Sequence, residues 1–248
     1  DALAQLHQDA GAWDQLVDVL ERRIRISPSA EEQIALYAEL GGIQRDKLGR
    51  DREALDAWYQ VLNLDPAHLG ALRAVAVIHR AGQSWDDLVD TIHRTVDLPD
   101  DAIPVEERKE LYAELGKVQG ELLLRPQEAI DAWRRVLDFD ARDYRAFSAL
   151  EQLFTGEARW EELVEILERK IGALDEKPQR IAVLMQIGEV WEDKVGDNSR
   201  AADAYERVLG MEPGNLAASE RLENIYRTVG TWDRLIELLL SRTEYVKG

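Results

Sequence analysis

The chain has 248 residues, of which 45% are hydrophobic and 32% are charged, so its composition is that of a folded protein and excludes a disordered one. Its net charge of −18 repels nucleic-acid phosphates and anionic lipid headgroups, and we expect neither nucleic-acid binding nor membrane insertion. The absence of cysteine excludes disulfides, thiol catalysis and cysteine-ligated zinc, and no apolar run approaches the ~18 residues of a membrane span.

The first predicted element begins at a tryptophan, and the same kind of segment returns three more times. Each copy reads Trp-(Asp/Glu)-x-Leu-(Val/Ile), and the spacings between copies are 72, 75 and 72 residues. A period of this length is typical of stacked supersecondary units. Carboxylates recur at the same place in these segments, which indicates helix N-termini and not paired catalytic acids. The four tryptophans are Trp13, Trp85, Trp160 and Trp232.

The next predicted elements are two helices that follow each of the first three tryptophan segments. The first contains Leu-Tyr-Ala-Glu-Leu-Gly41, and its glycine returns as Gly116 and Gly188 with spacings of 75 and 72. In the second, residues 53–62, apolar side chains recur every three or four positions around Trp58, and Pro66 follows. We therefore predict about fourteen helices in seven antiparallel hairpins, with the large aromatic residues between hairpins.

One connection is longer than its counterparts. Trp85 and Gly116 are 31 residues apart, whereas the equivalent pairs in the other two copies are 28 apart. Two prolines, Pro99 and Pro104, mark the segment 97–105 as a stretch that cannot continue a helix. We predict that the three extra residues form a lengthened loop there.

These residues resemble the tetratricopeptide repeat, a 34-residue helix-turn-helix unit. Ala54 precedes Trp58 by four residues and Pro66 by twelve, as in the family pattern. Gly41 precedes Ala54 by 13 residues, one more than usual, and we place the extra residue in the turn at Leu48-Gly49. The resemblance covers essentially the whole chain, although the tryptophan-segment hairpins are degenerate. It implies an all-α fold, an α-α superhelix (solenoid) with residues 1–248 as a single domain, of the bacterial multi-repeat type.

No group of residues in the sequence has the spacing of a catalytic or metal site. The four histidines, His7, His68, His79 and His93, form no His-x-x-x-His or Glu-x-x-His pair. There is no Gly-x-Ser-x-Gly elbow, no phosphate-binding loop and no dinucleotide fingerprint. We therefore predict a protein that is not an enzyme and that uses no cofactor.

The resemblance implies that the first helix of each hairpin lines a concave face that binds a protein or peptide. For Phe147 and Phe154, packing between hairpins is an equally open alternative. The side chains that this register turns toward a partner are Arg45, Leu72, His79, Arg80, Lys117, Tyr144, Phe147, Phe154, Met185, Tyr226 and Arg227.

Function is expected to be that of an interaction scaffold. Two alternatives are a regulatory module that recognises a switch protein such as a small GTPase, and an accessory arm of a multidomain enzyme. The last helix, predicted over 232–246, has too many apolar residues for a capping helix, so we expect a segment of a longer repeat protein or self-association through that helix. A cytoplasmic location is expected, with the periplasm as the alternative.

Overall fold

A computed structural model describes residues 2–245, and the side chains of residues 4–242. These residues contain no strand, and the predicted all-α fold class and the predicted number of helices are confirmed. The helices are α1 (Ala2–Asp9), α2 (Trp13–Ile26), α3 (Ala30–Asp46), α4 (Asp51–Leu64), α5 (Leu69–Gly82), α6 (Trp85–Val96), α7 (Val105–Lys117), α8 (Pro126–Phe139), α9 (Tyr144–Gly156), α10 (Trp160–Ala173), α11 (Lys177–Glu189), α12 (Asn198–Met211), α13 (Leu216–Val229) and α14 (Trp232–Tyr245).

The helices form two compact units, one of residues 1–125 and one of residues 126–248. In the first unit each helix from α1 to α7 packs on the next helix along the chain, and in the second unit the same holds from α8 to α14. Consecutive packing of this kind buries apolar side chains by neighbour contacts, because one hairpin alone is too small to fold. The single domain over residues 1–248 stays a prediction.

The tryptophan segments begin helices, as predicted, and the rings of Trp13 and Trp160 are contacted by a lysine of the next hairpin. The Nζ atom of Lys47, at the end of α3, lies 5.4 Å from the centre of the Trp13 ring. Arg50 binds the neighbouring Asp14 at 2.9 Å. The tryptophan and the carboxylate that recur in the repeat therefore both lie against the end of the first helix of the next hairpin. The equivalent contacts are Lys194 over Trp160 at 5.7 Å and Arg125 with Asp86 at 2.7 Å.

The glycine that recurs in the first helix lets an aromatic ring approach its backbone. A Cβ atom added to Gly41 would lie 2.7 Å from Nε1 of Trp58, far inside ordinary van der Waals contact. At Gly188 an added Cβ would overlap the ring of Tyr205 in the same way. Trp58 also packs on the buried cluster that includes Leu72. The aromatic side chain therefore fills the space within its own hairpin as well as the space between hairpins.

The extra residue of the recurring hairpin lies where we predicted it, at the end of the first helix. The turn is widened there, with π-helical segments at Val118–Leu122 and Val190–Val195. In the first copy the amide of Leu48 donates to the carbonyl oxygen of Ile43, five residues back, at 3.2 Å. The residue after each widened turn has a left-handed backbone, with φ of 65° at Gly49, 54° at Leu124 and 78° at Gly196. Two of these residues are glycines, so Leu124 is the only one of the three that places a side chain on a backbone conformation that favours glycine.

The predicted loop over 97–105 is confirmed between the ends of α6 and α7. Arg108, which is 9% exposed, holds this loop from inside. Its guanidinium donates to the carbonyl oxygens of Leu98 at 3.0 Å and Pro99 at 2.8 Å, and it binds Asp100 at 2.9 Å. The side chains at the equivalent repeat positions make the same kind of bond to the end of the preceding helix, Gln33 to Ser27 at 2.9 Å and Arg180 to Leu174 at 2.8 Å.

Candidate partner-binding surface

In the first unit, the exposed sides of the first helices α5 and α7 are joined by ion pairs. Arg73 donates to both carboxylate oxygens of Glu107, at 2.9 and 2.6 Å, and Arg80 does the same to Glu114, at 2.6 and 2.8 Å. The hydrogen bond to Glu114 raises the pKa of Arg80 above its usual value. Val77, between the two arginines, is 37% exposed. The predicted site residue Arg80 is therefore at the surface, but its charge is neutralised within the chain.

His79, the neighbour of Arg80, points the other way and is 4% exposed. Its Nε2 atom and the Tyr59 hydroxyl form a hydrogen bond of 2.8 Å, and its Nδ1 atom lies 3.9 Å from a carboxylate oxygen of Asp87. Burial lowers the pKa of His79, and the charge of Asp87 opposes that shift only in part. The His79 imidazole connects α4, α5 and α6, and it is too deeply buried to contact a partner. We call this arrangement the junction.

The same junction occurs twice in the second unit with different chemistry. Phe154 occupies the repeat position of His79 and is fully buried, with the guanidinium groups of Arg134 and Arg159 at 5.6 and 5.1 Å from its ring centre. Tyr226 occupies that position in the last copy, where its hydroxyl donates to Glu206. Burial, and then that hydrogen bond, raise the pKa of Tyr226 to about 12. One position of the repeat therefore accounts for three of the predicted site residues, and in all three copies it is a packing position.

Leu72 and Phe147 form a second pair at one repeat position, and they are 0% and 2% exposed. A buried side chain offers no surface to a partner, so we correct their placement, and that of the junction residues, from the surface to the interior. For Phe147 and Phe154, this burial agrees with the alternative that they pack between hairpins. The predicted site residues that lie inside are Leu72, His79, Phe147, Phe154 and Tyr226.

The other predicted residues reach the surface of the first helices. Lys117 is exposed on α7, and Arg45 on α3 and Met185 on α11 are partly buried. Tyr144, the first residue of α9, is 79% exposed. Arg227 on α13 is exposed and forms an ion pair with Glu223. A role for any of them in partner binding stays a prediction.

The second unit has a surface equivalent to the α5–α7 ion pairs, but with uncharged side chains. Ser148 and Thr155 on α9 stand at the repeat positions of Arg73 and Arg80. Gln179 and Gln186 on α11 stand at the positions of Glu107 and Glu114. Ser148, Thr155 and Gln179 are exposed and Gln186 is partly buried. We call these four side chains the α9–α11 surface. Among the described residues none of the four side chains has a hydrogen-bond partner, and three of them are exposed to solvent.

The first turn of α9 is fixed by a capped N-terminus. Asp143 Oδ1 accepts hydrogen bonds from the backbone amides of Arg145 at 2.9 Å and Ala146 at 3.2 Å. Burial by itself would raise the pKa of Asp143, but the hydrogen bonds from the Arg145 side chain and the two backbone amides outweigh it and lower the pKa. His68 and Asn215 cap α5 and α13 at the equivalent position. The exposed Tyr144 is therefore the first residue of a helix whose N-terminus is fixed by capping hydrogen bonds.

The last helix keeps an exposed apolar side. Leu235 and Leu238 are buried, whereas Trp232 is 60% and Ile236 is 55% exposed. Val246 and the side chain of Tyr245 lie outside the described residues, and self-association through this helix stays a prediction. Among helices of residues 2–245, none combines the length and apolarity needed to cross a bilayer. The same residues contain no group of three or more His, Asp or Glu side chains placed to hold a metal ion.

Two features that sequence reasoning missed had a signal in the sequence. The ion pairs of α5 with α7 join residues 34 positions apart, which is one tetratricopeptide unit. Opposite charges at that separation on first helices could have been searched for. The junction at position 79 had a weaker signal. The residues at this repeat position, His79, Phe154 and Tyr226, are similar in size but differ in polarity. Size without charge is typical of a packing position.

Comparison with known proteins supports the fold. The family model for the tetratricopeptide repeat matches residues 1–33 and 146–182, two segments at equivalent repeat positions that include the hairpins we described as degenerate. No curated protein matches the chain significantly. Many solved structures do. The complex of Naa15/Naa10 bound to HypK-THB contains a chain that is 14% identical with a TM-score of 0.55, and the match covers 95% of this chain and 34% of that one.

Two other solved structures are similar at lower TM-scores. A tetratricopeptide repeat protein from Parabacteroides merdae is 18% identical with a TM-score of 0.45, covering 97% of this chain and 96% of that one. A MamA protein is 23% identical with a TM-score of 0.43, covering 74% of this chain and 93% of that one. The family-model match over two segments and the consecutive hairpins lead to one conclusion: the chain is similar to tetratricopeptide-repeat proteins and has their all-α fold of consecutive hairpins.

Proposed function

We propose that this protein is an interaction scaffold that holds a peptide segment of a protein partner on the α9–α11 surface. The observation that carries the proposal is the exchange of two charged pairs for Ser148, Thr155, Gln179 and Gln186 between the two units. In the first unit the equivalent groups are satisfied by each other. In the second unit, hydroxyls and carboxamides are free to exchange hydrogen bonds with a peptide backbone.

Apolar anchors stand beside these polar groups. Tyr144, at 79% exposed, lies one turn before Ser148 on α9, and Met185 precedes Gln186 on α11. Tyrosine and methionine supply large contact areas at protein interfaces, and a solvent-exposed tyrosine on a rigid helix loses little entropy on binding. The switch-protein and enzyme-arm alternatives stay predictions, because no observation on the described residues favours either one.

The test is affinity capture from native extract with the chain as bait. Tyr144→Glu should abolish retention of the partner that the unaltered chain retains, because it places a charge on the apolar anchor. Val105→Glu is the matched control, since Val105 is 58% exposed on α7 in the other unit. A second variant imports the ion pairs of the first unit, with arginine at 148 and 155 and glutamate at 179 and 186. If both the Tyr144→Glu and the four-fold variants retain the same partner, the α9–α11 surface is not the binding site.

A further inference from the structure

A separate groove in the first unit lies between the second helices α2 and α4, with α3 as its floor. It is a cavity of about 390 Å³, open to solvent, with Leu40 and Ala57 among its apolar lining residues. Gln44 on α3 also lines it and is 7% exposed, and the side-chain oxygen of Gln44 has no hydrogen-bond partner. Buried polar atoms are nearly always paired, so this oxygen is an acceptor that the chain itself leaves unsatisfied, as it does at Gln119, the equivalent position of the next copy.

The rim of this α2–α4 groove is acidic. Glu21 on α2 and Glu53 and Asp56 on α4 line it, and the structure gives none of these three carboxylates an ion-pair partner among the described residues. Arg25 is the cation at the rim, and its Nε atom donates to the backbone carbonyl of Glu21 at 3.3 Å. Three free carboxylates around a partly apolar cavity favour a cationic occupant.

The second unit shows what fills the equivalent place. Between α10 and α12, both terminal nitrogens of Arg207 pair with the carboxylate of Glu168, one of them at 2.9 Å. The guanidinium of Arg200 lies 4.5 Å from the centre of the Trp191 ring. Two internal arginine side chains thus occupy this groove, one against a carboxylate and one against an aromatic face.

The first unit retains the acceptors and lacks the arginines. Glu21 stands at the repeat position of Glu168, and Gln44 at that of Trp191. Glu53 and Gln60 stand at the positions of Arg200 and Arg207. The first unit therefore has no arginine at either position. Glu53 adds a carboxylate at the rim, and Glu21, the acceptor on α2, has no ion-pair partner.

We propose that the α2–α4 groove binds the arginine side chains of a basic segment of a partner protein. An incoming guanidinium takes the place of Arg207 and pairs with Glu21, because a planar donor fork matches a carboxylate. A second takes the place of Arg200, near Glu53 and Asp56, within the part of the groove that Gln44 lines. This site lies in the other unit from the α9–α11 surface and is independent of it.

The experiment uses the full chain and a blocked hexapeptide, Ala-Arg-Ala-Ala-Arg-Ala, with titration calorimetry at two salt concentrations. The same peptide with citrulline in place of arginine is the neutral isostere. We expect the arginine peptide to bind at one site, about tenfold or more tightly than the citrulline peptide. Tyr144→Glu should leave this binding unchanged, which separates its outcome from that of the α9–α11 surface.

The decisive variant imports the internal arginines, Glu53→Arg with Gln60→Arg. It should fold, because the second unit carries arginine at both positions, and it should lose about tenfold or more in affinity. Glu157→Arg with Asn224→Arg makes the same change in net charge at exposed positions elsewhere and should bind like the unaltered chain. Glu21→Gln, which removes one acceptor without adding bulk, should weaken binding severalfold. Equal binding of the citrulline peptide, equal loss in the control variant, or full binding by Glu21→Gln would each overturn the proposal.

Discussion

Two adjacent glycines of α3 offer a matched test of how closely the aromatic ring approaches the first helix. A Cβ added to Gly41 would lie 2.7 Å from Nε1 of Trp58, whereas a Cβ added to Gly42 would have nothing within 4 Å. Alanine gains the same helix propensity at both positions, about 1 kcal/mol. The difference in stability between Gly41→Ala and Gly42→Ala therefore isolates the cost of the contact with Trp58.

The magnitude follows from the space available to the indole. Carbon atoms in ordinary contact are about 3.5–4.0 Å apart, so the ring must retreat by roughly 1 Å to accept a Cβ. Trp58 cannot retreat freely, because it packs on the cluster that contains Leu72 and Val75. Overpacking of this kind costs about 1–3 kcal/mol. We expect Gly42→Ala to raise the free energy of unfolding by about 1 kcal/mol, and Gly41→Ala to be about 1–3 kcal/mol less stable than Gly42→Ala.

Urea denaturation followed by far-ultraviolet circular dichroism measures both free energies of unfolding. The same pair of substitutions in a Trp58→Leu background completes the cycle, since removal of the ring should make Gly41→Ala as favourable as Gly42→Ala. If Gly41→Ala is at least as stable as Gly42→Ala with Trp58 present, the close approach does not constrain this position. A cost that persists after removal of the ring would place the strain elsewhere in α3.

Five further substitutions have expected outcomes in the same assay. Leu124→Gly should raise the free energy of unfolding by about 1 kcal/mol, because Leu124 has a φ of 54°, and Gly49→Leu at the equivalent turn should lower it. Asp143→Ala should cost about 1 kcal/mol through loss of the N-cap. The pKa of Asp143 is lower in the folded chain than in the unfolded chain. Its contribution to the free energy of unfolding is therefore complete above the unfolded pKa of about 3.9 and is lost as the pH falls through the folded pKa. A stability difference between the unaltered chain and Asp143→Ala that grew in acid would contradict this expectation. Arg108→Met should cost about 2–3 kcal/mol by leaving loop carbonyl oxygens without a donor, whereas Arg52→Met, at an exposed position, should be nearly neutral.

The helices and their connections were predictable because their signals are local. Trp85 and its counterparts mark a recurring helical segment, and Pro66 stops a helix. The prolines of 97–105 exclude one, so the loop before α7 was located from the sequence. The extra residue after Gly41 was placed correctly by counting. Its conformation was not predictable by counting, because one extra residue fits either a longer loop or a π-helical turn at the end of the helix.

The register of the exposed face was less well predicted. On α5 we expected Leu72, His79 and Arg80 at the surface. Arg80 is exposed, but Leu72 and His79 are buried, and the residue exposed beside Leu72 is Arg73. A shift of one residue rotates a helix face by about 100°. Apolar and aromatic residues suit both a binding face and a packing face, so composition alone does not separate them. The side of a first helix that meets the next hairpin decides which residues remain exposed.

By itself, the sequence determined the period, the helices, the lengthened loop and the all-α class, since these depend on spacing along one chain. Only the tertiary structure decided which copies of a repeat position have a hydrogen-bond or ion-pair partner for their side chain. Arg73 and Arg80 meet carboxylates on α7, whereas Ser148 and Thr155 face solvent; likewise Glu168 has Arg207, and Glu21 has no partner. A charge is satisfied by a neighbour in space, and that neighbour lies on another helix of the stack.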